Sequence, residues 1–225
     1  AGLLEAKLHG SDPAADRPEL QIRFDRSLGP SWRIADPLAL ARDPGSRDLT
    51  LRTSTTRVIA EHPLEWDGGS VALSADLTLD HLDWAAGLEI TIGTPDDDTP
   101  WLCAALRAGG SSSRPDRRAF VAWGSTIDQA ALNELLPADF HGRVRLHLRH
   151  DVELGVGFAE MIPEGAPSQR IHLPASGLAA LTAPPPGPLR LRLVSRIENP
   201  VLVGRVQVHA IDLVGFRPGP PLPAD

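Results

Sequence analysis

The feature of this chain that most limits what it can fold into is a period of two. Val71, Leu73, Ala75, Leu77 and Leu79 alternate with Ala72, Ser74, Asp76 and Thr78. Val144, Leu146 and Leu148 alternate with Arg143, Arg145, His147 and Arg149, and Leu189, Leu191 and Leu193 alternate with Arg190 and Arg192. Val206, Val208, Ala210 and Leu213 nearly repeat the pattern. Successive side chains of a strand point to opposite faces, so each stretch offers one face to a core and one to solvent. Many one-sided strands in series bury those faces by stacking as two antiparallel sheets. Helical spacing occurs once, in Ile127, Ala131, Leu132, Leu135 and Leu136. Ser125 or Thr126 can cap that segment, Asp128 suits its first turn and Pro137 stops it, so one short helix is predicted near 127–136.

Composition sets the scale. A chain of 225 residues with 42% hydrophobic residues can bury a substantial core without a disulfide staple, and all-β domains of this length are often undivided. The strands keep an even tempo with no repeat of fixed period, so a single domain is expected over 1–217, followed by a Pro-rich tail at 218–225 that reads as a linker. The formal charge of −7 opposes general nucleic-acid binding, which needs a basic field to neutralise phosphates. No run approaches the ~18 apolar residues of a membrane span, and no basic segment precedes an apolar one as in a secretory leader. Of the 22 basic residues only Lys7 is lysine, which points to a GC-rich bacterial coding sequence, so abundant Arg reads first as codon usage. Cys103 is alone within the apolar run 101–106, which makes it a buried, inert thiol.

Between the strands the sequence places a tight turn at Asp67-Gly68-Gly69, a polar loop from Thr94 to Pro100, an Arg-rich loop over 109–118, and a long irregular connection from Pro163 to Pro188. The order of strands from Gly69 to Phe216 resembles the concanavalin A-like (laminin-G-like) jelly-roll sandwiches. The resemblance lies in Val71 to Leu79 followed by Gly87 to Gly93 and Leu102 to Leu106, then the pair Gly142 to Asp151 and Gly155 to Met161, and the terminal stretch Arg205 to Phe216. It implies an all-β, two-sheet antiparallel sandwich. It does not imply one activity, because the same sandwich hosts lectins, hydrolases and interaction modules.

The chemistry legible in the residues is sparse. A retaining glycosidase of this fold needs two carboxyls about 5–5.5 Å apart, and the family places them in an alternating acidic run on one strand. No such run exists, and Glu89 stands alone between Leu88 and Ile90. No Gly-x-Ser-x-Gly elbow, phosphate loop or His-Glu-x-x-His motif occurs. Asp96, Asp97 and Asp98 are the candidate oxygen donors for a Ca²⁺ ion, as laminin-G-like domains often hold near one rim; a solvated hairpin tip is the alternative. Arg143, Arg145, His147 and Arg149 share the outward face of one strand and form the candidate ligand-binding row, suited to an anionic sugar or an acidic protein surface. Such a row repels itself unless an acidic partner faces it, either from this chain or from another molecule. Trp101 and Trp123 are candidate stacking platforms, with packing as their alternative role.

These residues predict a non-catalytic binding or interaction module of a larger bacterial protein, with flanking domains and a carbohydrate or protein surface as partner. The alternatives are a carbohydrate-active enzyme with an atypical site and a purely structural assembly domain. A groove holding two facing carboxylates would favour the enzyme.

Overall fold

The computed structural model describes residues 20–23, 28–42, 48–95, 100–123, 130–137 and 140–222. Its strands are β1 (Leu20–Arg23), β2 (Arg33–Ile34), β3 (Leu40–Arg42), β4 (Leu49–Arg52), β5 (Val58–Trp66), β6 (Val71–Leu82), β7 (Ala86–Gly93) and β8 (Leu102–Ser111). They continue as β9 (Arg114–Trp123), β10 (Ala130–Leu135), β11 (Gly142–Asp151), β12 (Val156–Pro163) and β13 (Gln169–His172). After helix α1 (Ala175–Leu181) come β14 (Leu189–Ile197), β15 (Gly204–Val214) and β16 (Phe216–Pro218).

The chain forms the two-sheet antiparallel sandwich that its alternation predicts. Sheet A runs β13-β12-β11-β6-β15-β4-β3, with β1 beside β15; sheet B runs β10-β9-β8-β7-β14-β5-β16, with β2 beside β5. The chain crosses between sheets after β6, and β14 then returns to sheet B beside β7, while β15 returns to sheet A beside β6. These returns interleave distant segments in jelly-roll fashion. The sheets meet face to face where β6 lies over β8, β11 over β9 and β15 over β7. Leu73, Leu79, Ile90, Ile92, Leu102, Leu106, Leu146, Leu148, Leu191 and Leu193 are all 2% exposed or less in the core between them. Burying a side chain of this size contributes about 1.5–3 kcal/mol.

Three expectations are corrected. The segment predicted as a helix forms β10 over Ala130–Leu135, antiparallel to β9, while 124–129 lie outside the described residues. Leu132 and Leu136 are buried and Leu135 is 53% exposed, so the apolar residues that mimic a helical stripe belong to a strand whose outward position also carries a leucine. The one α-helix among the described residues is α1, inside the stretch expected to be irregular. It follows Pro174, whose fixed φ suits a helix entry, and buries Leu181; β13 lies in that same stretch. The Arg-rich stretch 109–118 is the tip of the β8–β9 hairpin, paired down to Ser111 and Arg114. Gly110 has φ +79, and a Cβ there would lie 2.5 Å from the Arg114 carbonyl oxygen, so only glycine fits this turn.

The imperfect alternation of the terminal stretch has a physical cause. Register shifts between Val208 and Ala210, so Val206 and Val208 face the core before the shift, and Ile211 and Leu213 after it. This bulge leaves His209 on the solvent side. There its Nε2 lies 2.7 Å from Thr78 Oγ1 and its Nδ1 2.9 Å from Asp48.

Candidate functional site

Strand β7 reads Ala86-Gly87-Leu88-Glu89-Ile90-Thr91-Ile92-Gly93. Ala86, Leu88, Ile90 and Ile92 face the core, so alternation turns Gly87, Glu89, Thr91 and Gly93 to the outer face of sheet B, away from sheet A. An outer face is ordinarily wet, yet Glu89 is 0% and Thr91 3% exposed. On the same face Cys103 and Ala105 of β8 and Ala122 of β9 form a small buried cluster of their own.

Arginines build this cover. Arg107 of β8 and Arg196 of β14 both stand opposite Gly87 and reach along β7 to Glu89. Arg107 Nε donates to Glu89 Oε1 at 2.8 Å, and Arg196 Nε lies 2.5 Å from the same oxygen. A Cβ on Gly87 would come 3.2 Å from Arg107 Cγ, and one on Gly93 would come 3.2 Å from Arg192 Nη2. The glycines at the two ends of β7 thus leave the space in which long side chains lie flat across the strand. Two strands away Glu61 is 5% exposed, and it pairs with Arg33 and, at 2.8 Å, with Arg190. Each buried carboxylate therefore sits between two guanidinium groups, the compensation that buried charge requires.

Two hollows open beside this cluster. One of about 500 Å³ is lined by Ser54, Thr55, Arg57, Arg107, Arg196 and Glu198, among others. A smaller one of about 90 Å³ has Arg57, Glu89, Thr91, Arg192 and Arg196 in its walls, with Pro95 and Pro100 at its edge. Arg57 and Arg196 belong to both.

The residues chosen from sequence fall elsewhere. Arg143, Arg145, His147 and Arg149 do share the outer face of sheet A, while Val144, Leu146 and Leu148 are fully buried beneath them. Asp76 of β6 stands opposite Arg145. It accepts from Arg143 Nε at 2.7 Å and Nη2 at 2.5 Å, and from Arg145 Nη2 at 3.4 Å. Burial alone would raise the Asp76 pKa, but the bonds and charges of Arg143 and Arg145 together hold it below the usual 3.8. The acidic partner the row requires thus comes from the same chain. A hollow of about 360 Å³ remains beside it, lined by Asp76, Arg143, Arg145, Ile162, Pro163 and Glu164. His147 packs its ring 5.3 Å from that of Phe158, and Arg149 lies 4.0 Å from Asp151.

Trp101 is a core residue, 3% exposed. Its ring meets Trp66 and Phe216 edge-on, and its Nε1–H donates to the Ala180 carbonyl at 3.0 Å, so it presents no face to a sugar. The Trp123 backbone pairs with Leu102 at the end of β9, and its side chain lies outside the described residues. Asp96, Asp97 and Asp98 also lie outside them. Among the described residues no three His, Cys, Asp or Glu side chains gather to hold a metal ion, and no helix is long and apolar enough to cross a membrane. The signal for the sheet B cluster was present as a glutamate between Leu88 and Ile90 and as arginines at 190, 192 and 196. Which sheet face is covered is a tertiary fact that alternation does not carry.

No family model matches the sequence, and none of the curated proteins matches it. Solved structures do. The seed lectin of Lotus tetragonolobus is 9% identical with a TM-score of 0.60, over 90% of this chain and all of that one. The CBM2 module of the evolved Dit of Lactobacillus casei BL23 phage J-1 is 9% identical with a TM-score of 0.53, over 88% of this chain and 96% of the other. The xyloglucan-locus protein GH43B of Bacteroides ovatus is 14% identical with a TM-score of 0.53, over 91% of this chain but only 40% of its own. At these identities the likeness is one of architecture: the chain has the concanavalin A-like jelly-roll fold.

Proposed function

We propose that this chain is a non-catalytic carbohydrate-binding module of a larger bacterial protein, and that it takes its ligand on the outer face of sheet B. The observation that carries the reading is the sheltered polar cluster around Glu89, whose arginines Arg107 and Arg196 line the hollow of about 500 Å³ together with Ser54, Thr55 and Glu198. Saccharides present many hydroxyls that both donate and accept, and guanidinium, carboxylate and hydroxyl groups on a rigid sheet meet them in fixed geometry. The likeness of fold to a seed lectin and to a CBM2 module supports the class. The match to only part of the GH43B chain supports a module attached to other domains.

The same geometry argues against glycoside hydrolysis here. Glu61 and Glu89 share the face, but each is held between two arginines rather than aimed at the other. A carboxylate locked in such pairs is not poised to exchange protons with a substrate. The half-exposed Arg143 and Arg145 beside the hollow on sheet A support a second reading, in which the ligand surface is the row chosen from sequence.

Depletion of the protein by a panel of neutral and acidic insoluble polysaccharides tests both readings. Retention is expected on at least one, and Arg57→Ala, an exposed residue between the two hollows, should abolish it while Arg145→Ala leaves it unchanged. The reverse pattern moves the site to sheet A, and no retention on any polysaccharide refutes the carbohydrate reading.

A further inference from the structure

Within the buried cluster, two oxygens are left without partners. Glu89 Oε2 and Thr91 Oγ1 are fully enclosed and make no hydrogen bond, although Oε1 of the same glutamate receives both arginines. Buried polar atoms in native proteins are nearly always satisfied, so an unsatisfied pair calls for a specific cause. Both residues stand in the wall of the hollow of about 90 Å³. A carboxylate oxygen only accepts, so the missing group must be a donor. The hydroxyl of Thr91 can accept from that donor or donate to it.

The other walls narrow the choice. Arg57, Arg192 and Arg196 line the same hollow, and Arg57, Arg107 and Arg196 line the larger one with Glu198. Guanidinium forks match planar carboxylates with two parallel hydrogen bonds. A cationic amino sugar would meet repulsion here, and a carboxylate meets the arginines with opposite charge and acceptors for their remaining N–H groups. At about 90 Å³ against about 500 Å³, the small hollow suits a carboxylate and a neighbouring hydroxyl rather than a ring. The ring then has the larger hollow, which shares Arg57 and Arg196.

We infer that the small hollow receives the hydroxy-acid edge of a uronic-acid residue, with one hydroxyl on Glu89 Oε2 and Thr91 Oγ1 and the carboxylate on the arginines. This deepens the carbohydrate-binding reading and rests on it. The ligand class runs against the chain's formal charge of −7, so binding must come from this local arrangement rather than from the overall field.

Titration calorimetry tests the inference with four sets of oligosaccharides of equal length. They are uronates (galacturonate and mannuronate), the same oligomers as methyl esters, neutral galactose oligomers, and a sulfated, carboxylate-free galactan fragment. A uronate is expected to bind, and methyl esterification should weaken it at least tenfold. Arg57→Ala, at an exposed residue, should weaken uronate binding by at least the same factor and Thr91→Val about threefold, both with melting temperatures close to the parent. Uronate and neutral oligomers bound equally well would overturn the uronate assignment while leaving carbohydrate binding intact. Preference for the sulfated fragment would overturn the carboxylate assignment. Uronate binding untouched by both substitutions would place the ligand elsewhere, and no saccharide binding in any set would remove both this inference and the reading beneath it.

Discussion

The outer faces of the two sheets use the same chemistry to opposite effect. On sheet A, Arg143 and Arg145 reach Asp76 from side chains 53% and 55% exposed. On sheet B, Arg107 and Arg196 reach Glu89 from side chains 22% and 31% exposed, and the glutamate itself is 0% exposed. Both are cross-strand ion pairs between arginine and a carboxylate. Solvated arginines give up little when their partner is lost, because water replaces it. A carboxylate deep beneath its arginines has no such substitute. Asp76 is itself only 9% exposed, so the exposure of the arginines, rather than residue type, separates the two pairs.

The largest effect should come from stripping the sheet B pair. Arg107→Ala with Arg196→Ala leaves Glu89 buried without a cation, and denaturant unfolding should show a loss of about 3–5 kcal/mol. A loss below about 1 kcal/mol would erase the distinction between the faces. Adding Glu89→Gln should recover part of the stability, since the uncompensated charge is gone.

Next comes acid. His62 on β5 of sheet B and His150 on β11 of sheet A are 6% and 3% exposed, each with an unpartnered Nδ1. Burial pushes both below the ordinary 6.5. The unfolded chain then binds protons that the folded chain refuses, so stability is complete above about 6.5 and falls as pH drops below it. Each histidine contributes a slope of up to about 1.4 kcal/mol per pH unit. Melting curves between pH 7 and 5 for His62→Phe and His150→Phe should each show a shallower decline. An unchanged slope in either would mean that its sheet does not share in the acid sensitivity.

A smaller change should follow from Asp76→Asn on sheet A, about 1 kcal/mol, because its arginines return to water. A cost equal to that of the sheet B pair would show that the two faces are energetically alike. The smallest change marks where the cover of sheet B ends. Leu135 stands opposite Arg118 on edge strand β10 and is 53% exposed, so Leu135→Thr should shift stability by no more than about 0.5 kcal/mol. A loss of 2 kcal/mol or more, typical of a truncated core leucine, would mean that the outer face is buried out to its edge.

The sequence carried the sandwich because one-sided strands announce themselves residue by residue, as in Val71 to Leu79 and Arg143 to Arg149. It misread 130–135 because Leu132, Leu135 and Leu136 satisfy a helical stripe, and one exposed leucine on a strand is enough to counterfeit that period. It passed over Glu89 for a related reason. A lone acid between Leu88 and Ile90 reads as a solvent-facing residue unless the glycines at 87 and 93 are known to let arginines from β8 and β14 close over it. The arginine row on β11 was legible because all four positions lie on one strand. The arginines of the sheet B cluster come from β2, β8 and β14 and from the segment before β5, which only the pairing order brings together.

Cys103 lies beneath that cover, 1% exposed on the outer face of sheet B, and burial, with the charge of Glu89 beside it, pushes its thiol above the ordinary 9.0. A thiol reagent can modify it only in molecules where the arginine layer has momentarily lifted. When reclosing is faster than the reagent, the labelling rate at the single cysteine is the opening equilibrium multiplied by the rate for a free thiol. The chain therefore contains one built-in clock, set under the proposed ligand surface, and a molecule that occupies the hollows should slow it.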